Sequence, residues 1–240
     1  MKKRHNFGFT LAEVLITLAI IGVVAAMTLP TLIQNQQKRS LEVATQKFYS
    51  NMSQAVKKYM ADEGVDDLRN TPLTAHEDAN GNLNTGDAEK NCEDFIQKYL
   101  KVAAICRGEC FASSYVGLDG TKFGGGEGGF SSLYKNLLVL SDGAIIEIYN
   151  GNSRYPIELI VDINGKKGPN KNGYDLWTMS IFYDGSIDES GLTPECKKDN
   201  KFCIGNSPKE VRDGRFDLCK VGAYGGCFGH FLENGFKFDY

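Results

Sequence analysis

A chain of 240 residues has room for one globular domain of ordinary size and one further segment. Its 27 lysines and arginines against 30 acids give a formal net charge of −3, which falls to −6 without the three positive charges of Lys2, Lys3 and Arg4. This balance argues against a sequence-independent grip on a phosphate backbone, so no direct nucleic-acid partner is expected.

From Phe9 to Leu29 the chain is apolar, and its only ionisable side chain there is Glu13. At about 1.5 Å per residue, a helix of this length matches a hydrocarbon layer about 30 Å thick. The basic cluster Lys2-Lys3-Arg4 precedes it, while Lys38 and Arg39 lie beyond it. The positive-inside tendency therefore keeps the short amino-terminal end in the cytoplasm and exports the rest. Three readings compete. A secretory signal would be cut after Val24-Ala25-Ala26, leaving Met27 as the new terminus, but it would carry Glu13 inside its apolar region. A plain signal anchor accounts for the length and leaves Glu13 without a reason, although a carboxylate in hydrocarbon costs about 2.5 to 3.5 kcal/mol. A cut after Gly8 would create an α-amine at Phe9, four residues before Glu13, and so supply the acid with a cation.

The stretch Lys2-Lys3-Arg4, then Gly8, then Phe9-Thr10-Leu11-Ala12-Glu13-Val14-Leu15-Ile16 closely resembles the cleavage and methylation motif of type IV prepilins and type II secretion pseudopilins. By that resemblance Gly8 is the last leader residue and Phe9 is the first mature residue, cut free and N-methylated by a membrane prepilin peptidase. Glu13 becomes the fifth residue of the mature chain. An acid in a first helical turn is favoured by the helix dipole, and in a packed bundle it can neutralise the terminal amine of a neighbouring helix. The resemblance implies other pilin or pseudopilin subunits and an inner-membrane assembly platform as partners. It also implies a single-pass location in the bacterial cytoplasmic membrane, with the carboxyl-terminal domain exported and a surface or periplasmic filament after assembly. Gly22 and Pro30 fall where the family places helix-weakening residues; a kink before Pro30, or a helix break at the membrane exit, are the two readings of that proline.

Beyond Pro30, Leu41, Thr45, Phe48, Met52, Ala55 and Tyr59 recur at steps of four and three, the period of a helix with one buried face. That helix is expected to continue to about Asp62, with Gly64 as its stop signal. Residues 65 to 87 read as a long surface loop, after which Asp87 caps a second helix with Phe95, Ile96, Tyr99 and Leu100 on its apolar face. The stretch KFGGGEGGF, Lys122 to Phe130, contains a formal G-x-G-x-x-G, but a dinucleotide site needs a strand before it and a helix after it, and neither neighbour reads that way. A loop is expected. Strands follow at Leu137–Leu140, Ala144–Tyr149, Ile157–Ile163 and Leu176–Tyr183, with hairpin turns at Ser141-Asp142-Gly143 and Asp184-Gly185. Sequential hairpins imply an antiparallel sheet that can cover the apolar stripe of the long helix. The expected class is thus α+β, and the resemblance implies the same pilin-like arrangement of a long helical spine on a small antiparallel sheet.

VDINGKKGPNKNGYDLW, Val161 to Trp177, offers oxygen ligands at Asp162, Asn164, Asn170 and Asp175, the hard donors that calcium accepts. Gly173 stands where an EF-hand requires its bidentate glutamate, and Lys166, Lys167 and Lys171 oppose a cation. A hydrogen-bonded turn is the competing reading. Tyr174-Asp175-Leu176-Trp177 is similar to a segment of major type II pseudopilins, a family with a bound calcium in this region. No cofactor is otherwise required.

All seven cysteines lie beyond the apolar segment, without a C-x-x-C and with only His76 and His230 downstream. Disulfides in an oxidising compartment are expected rather than zinc. Spacing suggests Cys92 with Cys106 or Cys110, Cys196 with Cys203, and Cys219 with Cys227, leaving one thiol over. The expected divisions are a leader at 1–8, a transmembrane and filament-core helix at 9–30, its amphipathic continuation at 31–63, a globular domain at 64–190, and a cysteine-rich region at 191–240 of little periodicity. The function expected is a structural pilin-like subunit and not an enzyme, since no nucleophile and base pair up in the sequence. The alternative is an anchored exported binding protein or enzyme.

Overall fold

The computed structural model describes residues 10–77, 81–106, 110–123, 137–152, 157–200, 203, 205–222 and 225–240. It divides into two units, Met1–Ser40 and Leu41–Tyr240. Helix α1 is assigned over Leu11–Glu63. Within the first unit its apolar side chains are exposed, from Leu11 at 78% to Leu29 at 51%. Pro30 lies inside the helix, so the break expected at a membrane exit is not found. Proline removes one intrahelical bond, but its φ is already helical and the helix continues through it.

In the second unit, the stripe Leu41, Thr45, Phe48, Met52, Ala55 and Tyr59 is the buried face of α1. The helix ends at Gly64, whose φ of +68° admits the left-handed turn, while the Val65 N–H donates to the Met60 carbonyl at 3.0 Å. The stretch that follows is a surface loop only in part: residues 76–77 and 81–84 are exposed, but 68–75 turns side chains inward. Leu68, Leu73 and Ala75 are buried, a 3-10 turn forms at Leu68–Asn70, and strand β1 occupies Thr74–Ala75. The reason is local: Asp67 accepts the Arg69 N–H at 2.8 Å, and the Leu68 N–H reaches the Tyr183 carbonyl at 2.8 Å, so a polar-looking segment presents its few apolar side chains inward. Helix α2, Thr85–Tyr99, starts earlier than expected, with Asn84 rather than Asp87 at the cap position and Asp87 in the first turn. Ala88, Cys92, Phe95 and Ile96 form its buried face.

The remaining strands are β2 (Val102–Cys106), β3 (Tyr115–Val116), β4 (Lys122–Phe123), β5 (Leu137–Leu140), β6 (Ile145–Tyr149), β7 (Gly151–Asn152), β8 (Ile157–Asp162), β9 (Leu176–Ile181) and β10 (Ile187–Asp188). Six of them form an antiparallel sheet in the order β10-β9-β8-β6-β5-β2, with Ile146 opposite Val161 and Leu159 opposite Met179. The period of two sorts its side chains onto two faces. Leu138, Ile146, Leu159, Val161, Trp177 and Met179 meet α1 and α2 in the main core. Leu137, Ile145, Ile160 and Leu176 meet Phe111 and Tyr115 on the opposite face. A fully buried side chain such as Met52 contributes about 1.5 to 3 kcal/mol by leaving water. The turn between β9 and β10 shows how closely the layers approach: a Cβ on Gly185 would stand 2.6 Å from Met60 Sδ. Of the KFGGGEGGF stretch, Lys122–Phe123 is β4, paired antiparallel with β3, and the rest lies outside the described residues.

The carboxyl-terminal region, expected to have little periodicity, is helical. It forms α3 (Pro194–Asp199), α4 (Pro208–Lys220) and α5 (Phe228–Glu233). Thr193 Oγ1 accepts the Cys196 N–H at 3.1 Å and Ser207 Oγ accepts the Glu210 N–H at 3.3 Å, each cap followed by a proline at the first helical position. Phe231 and Phe228 pack on Trp177 with ring centroids 4.6 and 6.1 Å away, so this region contributes to the main core rather than hanging from staples alone.

Three disulfides join Cys106 to Cys110, Cys196 to Cys203 and Cys219 to Cys227. The pairing expected for Cys92 is wrong: it is a free thiol, wholly buried on the inner face of α2, with Sγ 3.6 Å from the Leu73 carbonyl. Burial pushes this thiol up to about 12. Linear spacing placed it near Cys106 and Cys110, but the helical twist turns it into the core.

Candidate functional site

The site begins at Thr10, because Gly8 and Phe9 lie outside the described residues. Thr10 and Glu13 cap the start of α1 reciprocally. The Glu13 N–H donates to Thr10 Oγ1 at 3.3 Å, and Glu13 Oε2 accepts from the Thr10 N–H and from the Thr10 hydroxyl, both at 2.8 Å. This is a capping box, T-x-x-E, which satisfies amide donors that a helix start would otherwise leave open. Thr10 was missed as a functional residue, although threonine three positions before the acid and ahead of an apolar run is its sequence signature.

After the cap, the helix is apolar on all sides and exposed on all sides. Ile16, Ile20, Ile21 and Val24 are each more than half exposed. By length and composition this helix can cross a membrane. A surface of this kind calls for a lipid or protein environment, since water penalises each exposed apolar side chain. At Gly22 an added Cβ would meet nothing within 4 Å, so no neighbour within the chain dictates glycine there. The Thr28 hydroxyl donates back to the Val24 carbonyl at 3.0 Å, one turn before Pro30.

The four residues proposed as calcium ligands come together on one loop, but as hydrogen-bond partners of the protein itself. Asp162 Oδ2 accepts from the Tyr115 hydroxyl at 2.6 Å and Oδ1 from the Asn164 N–H at 3.2 Å. Asp175 Oδ2 accepts from the Asn170 N–H at 2.8 Å and Oδ1 from the Lys171 N–H at 2.6 Å. Asn164 and Asn170 donate their side-chain amides to the Gly168 and Lys166 carbonyls, at 3.1 and 3.5 Å. Burial raises Asp162 to about 7 and Asp175 to about 6, and for Asp162 the nearby Asp175 charge adds to the effect. Calcium takes six to eight oxygens. Among the described residues no group of three or more acidic, histidine or cysteine side chains converges on a point. The two acids of the loop are thus engaged by the protein itself, while Asn164 Oδ1 and Asn170 Oδ1 are buried without a hydrogen-bond partner.

Comparisons with known proteins divide along the chain. Residues 3–29 match the prokaryotic N-terminal methylation motif, and residues 31–114 match a family of unknown function (DUF6613). The type II secretion system core protein G of Aeromonas hydrophila is 32% identical over 85 residues, which cover 32% of this chain. The chain spans 59% of that relative's length. No solved structure matches. The methylation motif stands at the head of a long apolar helix, followed by a small antiparallel sheet and disulfides toward the carboxyl end, which together make a pilin-like α+β fold with a prepilin-type amino terminus.

Proposed function

We propose that the protein is a structural subunit of a type IV pilus-like or type II secretion filament. Prepilin peptidase cuts it after Gly8 and methylates Phe9, with the basic leader in the cytoplasm and the domain exported across the inner membrane. The subunit waits in the bilayer as a single-pass protein, then moves through the assembly platform into the filament, where Glu13 neutralises the terminal amine of a neighbour. One observation carries this reading: a match to the methylation motif over residues 3–29, on a helix whose apolar side chains have no partner within the described residues of their own unit. The capping box adds a physical route. In the lone chain Glu13 rests on Thr10, so its charge is satisfied until a stronger cationic partner arrives.

Glu13→Ala tests it. Insertion and cleavage should persist, because the apolar helix loses only a polar side chain. Assembly into filaments, read by electron microscopy and by crosslinking between subunits, should fall below detection, since an unpaired buried amine costs about 3 to 5 kcal/mol. If Glu13 were only a helix cap, the loss would be about 1 kcal/mol and filaments would form in near-normal number. That second result would end the intersubunit account.

A further inference from the structure

Within residues 41–240 the acids outnumber the bases, 29 to 22. One groove gathers lysines on its walls, with Asp62 and Glu63 within electrostatic reach of its Lys98. This groove, of about 540 Å³ between α1, the end of α2 and the β5–β6 turn, is lined by Lys47, Lys58, Lys98 and Lys101, with Asp142 as its one acidic wall residue. Asp142 already pairs with Lys47, at 3.2 Å. Lys98 and Lys58 sit over the Tyr99 ring at 5.0 and 6.0 Å, on a floor that also includes Leu100 and Leu140. On the other side of the same turn a second groove of about 530 Å³ adds Lys166 and Lys167.

Helix α2 carries the complement at its opposite end. Its first turns expose Asp87 and Glu89. Lys90, the one base of that stretch, is paired with Asp94 at 2.6 Å. From Asp87 to Lys98 the helix rises about 16 Å, which separates the acidic start from the basic end. Two complementary patches at opposite ends of one element make a head-to-tail contact, the heterologous kind that propagates rather than closing into a two-fold pair.

We propose that the lysine groove receives the acidic first turns of α2, Asp87 and Glu89, from a second copy of this chain. The contact rests on the filament reading above and names the partner surface within it. Complementary charge would set which copy docks where and in what register, more than how tightly.

The test uses two differently tagged full-length chains co-expressed in the membrane, with co-capture after mild detergent extraction as the readout. In one variant Lys98→Glu and Lys101→Glu reverse the groove; in the other Asp87→Lys and Glu89→Lys reverse the helix start. Each alone should lower co-capture of its own copies about tenfold, and mixing the two should restore it to within about twofold of the parent, because opposite charges meet again. Thermal unfolding like the parent's checks that each variant is folded. Three results overturn the inference. Co-capture unchanged by either reversal removes this contact while leaving filament assembly to other surfaces. Loss without restoration on mixing, accompanied by loss of binding to anionic lipid vesicles or to nucleic acid, gives the groove to another occupant. Parent copies that neither co-purify nor form filaments defeat this contact and the filament reading together.

Discussion

Two stretches of helix α1 offer the most instructive contrast in the molecule. Between Leu11 and Ile33 the apolar side chains are exposed, whereas between Leu41 and Met60 all but a few, such as the exposed Val43, are buried or partly buried. The backbone is the same in both, so the difference lies in what covers it. The second stretch is stabilised by contacts that the chain itself supplies, with Met52, Phe48 and Tyr59 set into a core shared with Leu159 and Met179. The first has no such contacts among the described residues and depends on surroundings outside the chain. That division fits a subunit whose domain folds on its own account while its amino-terminal helix exchanges one apolar environment for another.

The largest expected effect comes from truncating the same kind of side chain in each stretch. Met52→Ala should destabilise detergent-solubilised protein by about 2 to 5 kcal/mol, or roughly 5 to 15 °C in Tm for a domain of this size. Ile20→Ala should leave that transition in place within about 1 °C, since no folded contact is lost. Differential scanning fluorimetry separates the two. Equal shifts from both substitutions would show that the amino-terminal helix is part of the cooperative fold and would dissolve the contrast.

A smaller effect follows from acids confined to the folded domain. Burial raises Glu147 to about 8 and Glu158 to about 7, beside Asp162 at about 7 and Asp175 at about 6. In the unfolded chain such groups titrate near 4, so between pH 4 and pH 8 the folded state holds more protons than the unfolded one. Stability is then fully present below about pH 4 and is lost as pH rises through the folded values. Considering these groups alone, Tm should drop by about 4 °C or more from pH 5 to pH 8.5. Glu147→Gln should lessen the drop, because Glu147 Oε2 is buried without a hydrogen-bond partner. A Tm that climbs over this range would contradict the assignment.

The smallest effect concerns the loop of Asp162 and Asp175. Their oxygens are engaged by Tyr115 and by backbone N–H groups, so excess chelator should move Tm by less than about 1 °C. A fall of several degrees, recovered on adding calcium, would return these residues to the role of ligands.

Much of this architecture was readable before any coordinates. The amphipathic run from Leu41 to Tyr59 and the alternating strands around Ile146 and Leu159 are periodic, and periodicity survives whatever the tertiary context. Gly64 and Asp184-Gly185 punctuate the chain where their backbone freedom is needed. Other parts were obscured for identifiable reasons. The three carboxyl-terminal helices are short, the first two of them polar, and a Gly-, Lys- and Asp-rich composition hid the caps at Thr193-Pro194 and Ser207-Pro208 that announce those two. Cys92 was misassigned because pairing by separation ignores which face of a helix a side chain occupies. Residues 65 to 77 looked like solvent-facing loop because Leu68, Leu73 and Ala75 are too widely spaced to form a periodic signal. At the amino terminus the acid was conspicuous, yet Thr10, its partner in the capping box, was passed over since an unpaired charge draws attention that a threonine does not.

The central claim is that residues 1–8 are a leader and that Phe9 heads the working protein. Intact and peptide mass spectrometry of the chain extracted from its native membrane tests this most directly. The account predicts a first residue of Phe9 carrying one added methyl group on its amine, with the cut abolished in Gly8→Val. A terminus at Met1, or at Met27 after Val24-Ala25-Ala26, would contradict it.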